Sequence, residues 1–325
     1  MYSESDAPAI TAQSAALLSV LYTLCYVIPF YLSASTRPSP QLSRDAPSVV
    51  RARIRAVTLS CVLSALLTVY VAMDYGKSTL SNALRLMGWW PVAPLEIAKA
   101  LLLTAVLFVG PLFESGIVEG GWRDWIRIST LTDTMGNWIG WRNYVAGPVS
   151  EELVFRSCLI PLHLLAKVSP GRIVFLTPLY FGIAHIHHFY EYKLTHPYTP
   201  LLPALLRSVV QFSYTSIFGF YATFLFLRTG SFPAVVVVHS FCNWCGLPRF
   251  WGRVEAGQPI GPPDIKGKDD GENVRTVLTG NLSGQGQLGL EWTIAYYLLL
   301  VAGAVGFYFL LWPLTSGERA LAYFH

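Results

Sequence analysis

Three short polar clusters interrupt an otherwise apolar chain, and each carries residue types suited to moving protons. The first is Glu151-Glu152-Leu153-Val154-Phe155-Arg156, directly after Gly147-Pro148. A carboxylate shielded from bulk water is a competent general base toward a water molecule. Glu152 and Arg156 stand i,i+4 in the favourable order, which predicts an ion pair and leaves Glu151 free to act. The competing reading is that Pro148 starts a helix and both glutamates merely complement its dipole. The second cluster is Phe181-Gly-Ile-Ala-His185-Ile-His187-His188. On a helix His185 and His188 share a face, Phe181 lies one turn before His185, and His187 points elsewhere. Histidines placed so close to an interface are also compatible with headgroup contact. The third is His239-Ser-Phe-Cys-Asn243, whose i,i+4 pair presents two donors to one side of a helix. Such donors suit the oxyanion of a tetrahedral intermediate; they also suit plain hydrogen bonding between membrane helices.

No serine or cysteine stands in a recognisable nucleophile arrangement with a base, so hydrolysis by an activated water is the economical chemistry. A glutamate and two histidines holding zinc with an open fourth position are the alternative, though no HExxH is present. No cofactor is expected. The five cysteines lie almost wholly in apolar runs and read as small buried hydrophobes. Cys242-x-x-Cys245 has no second pair to make a zinc ribbon.

The elements that must position these groups are set by composition. Only 13% of the 325 residues are charged, against about 25% for a soluble domain. That deficit excludes a soluble globular enzyme, a disordered scaffold and a nucleic-acid binder with a basic face. It predicts an all-α polytopic membrane protein. Charge-free runs cover about 13–34, 56–73, 173–190, 208–227, 229–248 and 292–315, with weaker ones at 100–113 and 148–166. About eight transmembrane helices follow, and continuous rather than alternating runs argue against a barrel. The acidic start lacks a basic n-region and reads as leading into a first span, not a cleaved signal.

With eight spans, fifteen of the 23 lysines and arginines fall in the loops 35–55, 114–147, 191–207 and 249–290. The positive-inside rule places those loops in the cytosol. Residues 1–325 read as one integral membrane domain with a catalytic core at about 148–246. Loop 249–290 reads as a flexible hydrophilic cytosolic excursion, on which the Asn281-Leu-Ser283 sequon stays unmodified. Trp122, Trp125, Trp138 and Trp141 beside Arg123, Arg127 and Arg142 suit a segment lying at the cytosolic interface. On this topology Glu151, His185 and His239 reach similar depth in the cytosolic half of the bilayer. Accidental polar residues would scatter between leaflets, so the coincidence predicts one intramembrane cavity open to the cytosolic leaflet.

The motifs EExxxR (Glu151–Arg156), FxxxH (Phe181–His185) and HxxxN (His239–Asn243), in this order on successive membrane helices, resemble those of the type II CAAX prenyl endopeptidases. That is the Ras and a-factor converting enzyme family. The resemblance covers about residues 148–246 and shows no departure from the motifs. It implies an endoplasmic reticulum protein that removes the last three residues of farnesylated or geranylgeranylated CAAX proteins such as Ras-type GTPases. It further implies Glu151 as the base, His185 as a holder of the water, and His239 with Asn243 as the oxyanion site. Glu152 and Arg156 would form a structural pair, Phe181 would shape the pocket, and His188 would support it. A glutamate-type mechanism is preferred over zinc, because no second shell for a metal is evident. No nucleic-acid partner is implied.

Two other classes use similar residues. A transporter or proton relay would continue its polar groups into the far half of the bilayer, where the sequence offers little besides His163. A structural or adaptor protein would tolerate Glu151→Gln.

Overall fold

A charge-free run inside a bilayer has only its own backbone to bond with, so it closes into helix. The computed structural model describes residues 7–39, 42–255 and 288–324, and every regular element among these is helical. The chain is an all-α polytopic membrane protein. Four helices are long and apolar enough to cross a membrane: Ala12–Leu32, Pro47–Asp74, Leu201–Thr229 and Leu290–Thr315. The apolar run expected at 100–113 is two arms, Pro94–Leu107 and Val109–Val118, bent by 78°. Pro111 has no N–H for the carbonyl of Leu107, and Gly110 packs directly on the backbone of Leu300.

The other three expected spans are shorter helices packed against these. Pro170–Ala184 and Phe232–Cys245 are two of them. The third, here the glutamate helix, runs through Gly147–Glu152, Leu153–Cys158 and Leu159–Leu165. It stands between two apolar cores. Phe155 and Cys158 pack with Tyr22 and Phe181 on one side, while Ile160 packs with Leu103 and Phe226 on the other. Burial on every face makes it the central post of the fold.

Two boundaries differ from the sequence expectation. Helix does not begin at Pro148: the backbone is already helical from Trp138, through a π-helical turn at Arg142–Ala146. A second π-helical turn, Leu153–Cys158, precedes Pro161. These wider turns loosen the ladder just before each proline, whose missing N–H would otherwise break it. The run expected over 173–190 ends at Ala184. There the N–H groups of His185 and Ile186 reach back only three residues, to Gly182 and Ile183, and a new helix, His187–Thr195, sets off.

Pro170–Ala184 crosses Leu201–Thr229 at close range. A Cβ on Gly182 would meet Ser216 Oγ, and one on Gly219 would meet Pro178, both well inside contact distance. Small residues at the crossing let the backbones approach as membrane helices require. Trp122, Trp125, Trp138 and Trp141 sit on short helices with much of their rings exposed, as suits an interfacial segment. The first residues of the expected loop 249–290 are docked, not free: the Arg249 N–H donates to Tyr296 Oη at 2.7 Å and the Val254 N–H to Thr293 Oγ1 at 3.1 Å. Residues 256–287, including the sequon, lie outside the described residues.

Candidate active site

The glutamate helix delivers Glu151 and Glu152 side by side, and Phe232–Cys245 brings His239 between them. A carboxylate oxygen only accepts, so His239 Nδ1 carries the proton that it shares with Glu152 Oε1 at 2.7 Å. The other ring nitrogen, Nε2, then faces Glu151 Oε2 at 3.6 Å. That gap exceeds a hydrogen bond.

Glu152 also receives Arg156 Nη1 at 3.0 Å, on the same Oε1. The expected pair therefore forms, with side chains 0% and 1% exposed. Charges this deep need neutralising partners. Rings supply part of the setting: the Arg156 guanidinium lies 4.5 Å over Phe181 and 5.6 Å over Phe218. Gly219 makes room for it, since a Cβ there would stand 3.2 Å from Arg156 Nη2. Glu152 Oε2 and Arg156 Nη2 remain buried without hydrogen-bond partners.

Glu151 differs from its neighbour. Its side chain is 21% exposed, and no donor among the described residues reaches it within hydrogen-bond distance. The dipole reading is overturned for both glutamates, because the helix is already under way at Trp138 and neither sits in a first turn.

His185 caps the helix Pro170–Ala184. Its Nδ1–H donates to the Phe181 carbonyl at 2.8 Å, which fixes the tautomer and leaves Nε2 available as an acceptor. Phe181 joins the histidines, its ring 4.6 Å from His185 and 6.4 Å from His239. Asn243 is exposed one turn beyond His239, and one of its amide hydrogens goes to the Asn143 carbonyl at 2.9 Å. The second remains to be used. His188 is 5.7 Å from His185, ring to ring, and its Nδ1–H donates to Glu191 at 2.9 Å.

Sequence reasoning did not find several neighbours. The Phe218 ring lies 4.6 Å from that of His239, tilted by 54°. Tyr26 reaches Ser150 at 3.1 Å and packs on Phe155. Glu191 receives Arg53 at 2.6 Å as well as His188. The double use of Glu152 was also missed, although a carboxylate that orients a histidine is a common device. For Phe218 no signal existed in a run already rich in aromatics.

The donor sets can be tested against a metal. Zinc ligands at about 2.0–2.2 Å require donor atoms within roughly 3–4 Å of one another. Among the described residues, the three donors that come within 4.8 Å of one another belong to His187, His188 and Glu191, not to Glu151, His185 and His239. The Glu191 carboxylate is already neutralised by Arg53, with Arg44 3.6 Å away. A divalent cation there would face two guanidiniums, so neither set fits zinc as it stands.

His163, the polar group towards the far side, bonds the Leu159 carbonyl of its own helix at 3.2 Å and is otherwise packed against Tyr180. Its Nε2 is buried without a hydrogen-bond partner, so no further group among the described residues continues a relay from it.

Residues 133–245 match the family model described as type II CAAX prenyl endopeptidase Rce1-like. The Schizosaccharomyces pombe protein named Probable CAAX prenyl protease 2 is 40% identical over 238 residues, covering 73% of this chain and 83% of that one. CAAX prenyl protease 2 of Homo sapiens is 37% identical over 234 residues, 67% of this chain and 68% of the relative. CAAX prenyl protease 2 of Arabidopsis thaliana is 33% identical over 266 residues, 75% and 83% of the two chains. No solved structure matches.

Proposed function

This chain belongs to the type II CAAX prenyl endopeptidases, and from that premise we propose that it removes the C-terminal tripeptide from prenylated CAAX proteins such as Ras-type GTPases by a glutamate-activated water. The observation that carries the mechanism is the contrast between adjacent carboxylates. Glu152 is fully buried with Oε1 held by both Arg156 and His239, whereas Glu151 keeps 21% of its side chain exposed and no donor among the described residues on it. A base must have a lone pair that water can reach, and Glu151 is the exposed carboxylate of the two.

In this reading a water lies between Glu151 and His185 Nε2. Glu151 takes its proton as the oxygen attacks the scissile carbonyl carbon. The second amide hydrogen of Asn243 faces the developing oxyanion, and His239 joins it as a donor in the form that carries a proton on Nε2 as well as on Nδ1. Collapse breaks the C–N bond, and Glu151 returns the proton to the amine of the leaving tripeptide. Glu152 holds His239 in register through Nδ1, and Phe181 walls the cavity. Zinc has no part in this scheme, because the donors of Glu151, His185 and His239 are not gathered as a metal would require.

The enzyme would sit in the endoplasmic reticulum membrane with this cavity toward the cytosol, as the distribution of lysine and arginine supports. A prenylated tail partitions from the cytosolic leaflet, each buried CH₂ contributing about 0.8 kcal/mol. Its scissile bond then lies at shallow depth. The test is cleavage of a fluorogenic farnesylated CAAX peptide by the purified protein. Glu151→Gln, isosteric but unable to take the proton, is expected to lower kcat by about 10³-fold. A folded wild type that releases no tripeptide would overturn the activity; an active Glu151→Gln would overturn the base alone.

A further inference from the structure

On the far side of His188 from His185, three arginines meet two carboxylates. Arg53 Nη2 holds Glu191 at 2.6 Å while its Nε donates to the Thr36 carbonyl at 2.9 Å. Arg142 Nη1 holds Asp45 at 2.5 Å while its Nε donates to Asn143 Oδ1 at 2.9 Å. Both carboxylates are thus engaged at hydrogen-bond distance by two of the three guanidiniums.

Arg44 is the third. Its contacts are 3.6 Å to Glu191 and 3.8 Å to Asp45, beyond hydrogen-bond length. It also lies 3.5 Å from His188 Nδ1, but that nitrogen already gives its proton to Glu191 and has none of its lone pair left to accept with. Three guanidiniums thus meet two carboxylates, and Arg44 is the one that shares their charge at longer range without a hydrogen bond to either, its side chain 30% exposed.

We infer that Arg44 binds the free C-terminal α-carboxylate of the substrate. The inference rests on the reading of this chain as a CAAX tripeptide-releasing protease. The distance suits it: the three residues beyond the scissile bond span at most about 10 Å when extended. Arg44 is separated from His185 by the single ring of His188, 5.7 Å from His185. The chemistry suits it as well. A carboxylate drawn to the membrane surface loses hydration, and a planar guanidinium restores two hydrogen bonds at once. Such an anchor would count three residues back from the chain end, fixing which peptide bond meets Glu151.

The test compares two farnesylated fluorogenic peptides of one sequence, one ending in a free carboxylate and the other in a carboxamide. Full-length wild type in detergent is expected to cleave the acid with kcat/KM about tenfold above the amide or more, as one charge-assisted contact allows, the difference lying in KM. Arg44→Gln should collapse that ratio to within about twofold, and Arg44→Lys, which keeps the charge but loses the fork, should fall between. Equal cleavage of acid and amide by wild type, or an unchanged ratio in Arg44→Gln, overturns the assignment and leaves the protease reading standing. A folded wild type that cleaves neither peptide overturns both. Should Arg44→Gln fail to fold, Arg44→Lys decides, since a wild-type ratio there excludes bidentate binding.

Discussion

Two groups of carboxylates, arginines and histidines lie one histidine ring apart, and they are paired by opposite rules. In the inner group, Glu152 Oε1 takes both available donors, Glu151 takes none, and Glu152 Oε2 and Arg156 Nη2 stay unpartnered. In the outer group both carboxylates are held short, Glu191 by Arg53 and His188 and Asp45 by Arg142. The outer group joins separate pieces of chain: residues 42–46, the start of Pro47–Asp74, the helix His187–Thr195 and the turn at Arg142. Its short pairs staple those pieces together and leave Arg44 over. The inner group is walled by Phe181 and Phe218, which give a guanidinium a favourable face but no acceptor. Apolar walls around too few donors leave one carboxylate without a donor, and that shortage sets the inner group apart from a staple.

The sharpest way to break the comparison is to remove the inner cation. Arg156→Ala leaves Glu152 buried without its counter-ion, for which a loss of about 3–5 kcal/mol is expected. Chemical denaturation in mixed micelles would read it, and a loss below about 1 kcal/mol would mean that the pair is not the structural centre of the inner group.

A double substitution then separates structure from chemistry. Glu152→Leu with Arg156→Met replaces the pair by apolar side chains of similar volume, which commonly restores stability. His239 Nδ1, however, loses its acceptor, and the ring is free to turn. Stability near wild type with kcat about 10²-fold lower is the expected result, since misplacement by about 1 Å can cost that much. Wild-type kcat in this variant would show that Glu152 does no orienting.

How much of this was legible in sequence divides along the same line. The helices, the Glu152–Arg156 pair and the grouping of Glu151, His185 and His239 follow from hydropathy, i,i+4 spacing and depth, all short-range or one-dimensional signals. The outer group was not visible. Arg44, Arg53 and Glu191 are surface-type residues in segments that read as loops or helix ends, and only the packing of distant segments brings them together. The break at His185–Ile186 was hidden because hydropathy runs on through 173–190 while the backbone turns. Glu152's second bond, to His239, joins residues far apart in sequence and leaves no periodic trace.

The smallest expected effect tests the staple. Burial alone would raise the Glu191 carboxyl, but the hydrogen bond from His188 and the charges of Arg53 and Arg44 outweigh it and hold that carboxyl well below the usual carboxylate range. A group whose folded value is depressed stabilises fully above its unfolded value, about 4.3 for glutamate, and loses that contribution as pH falls toward the folded one. Glu191→Gln should therefore be less stable than wild type by about 1.5 kcal/mol at pH 7, the scale of one hydrogen bond to a charged group. The gap should hold down to about pH 5 and narrow below about pH 4. Thermal unfolding of both proteins across that range gives the answer. A gap that persists unchanged to pH 3 would mean that the glutamine disturbs packing instead of removing a charge. Catalysis at pH 7 should fall far less than in the inner-group variants, because neither Glu151 nor His239 touches the staple. A collapse of kcat in Glu191→Gln would show that the two groups are one site, and that His188 transmits between them what its ring now only separates.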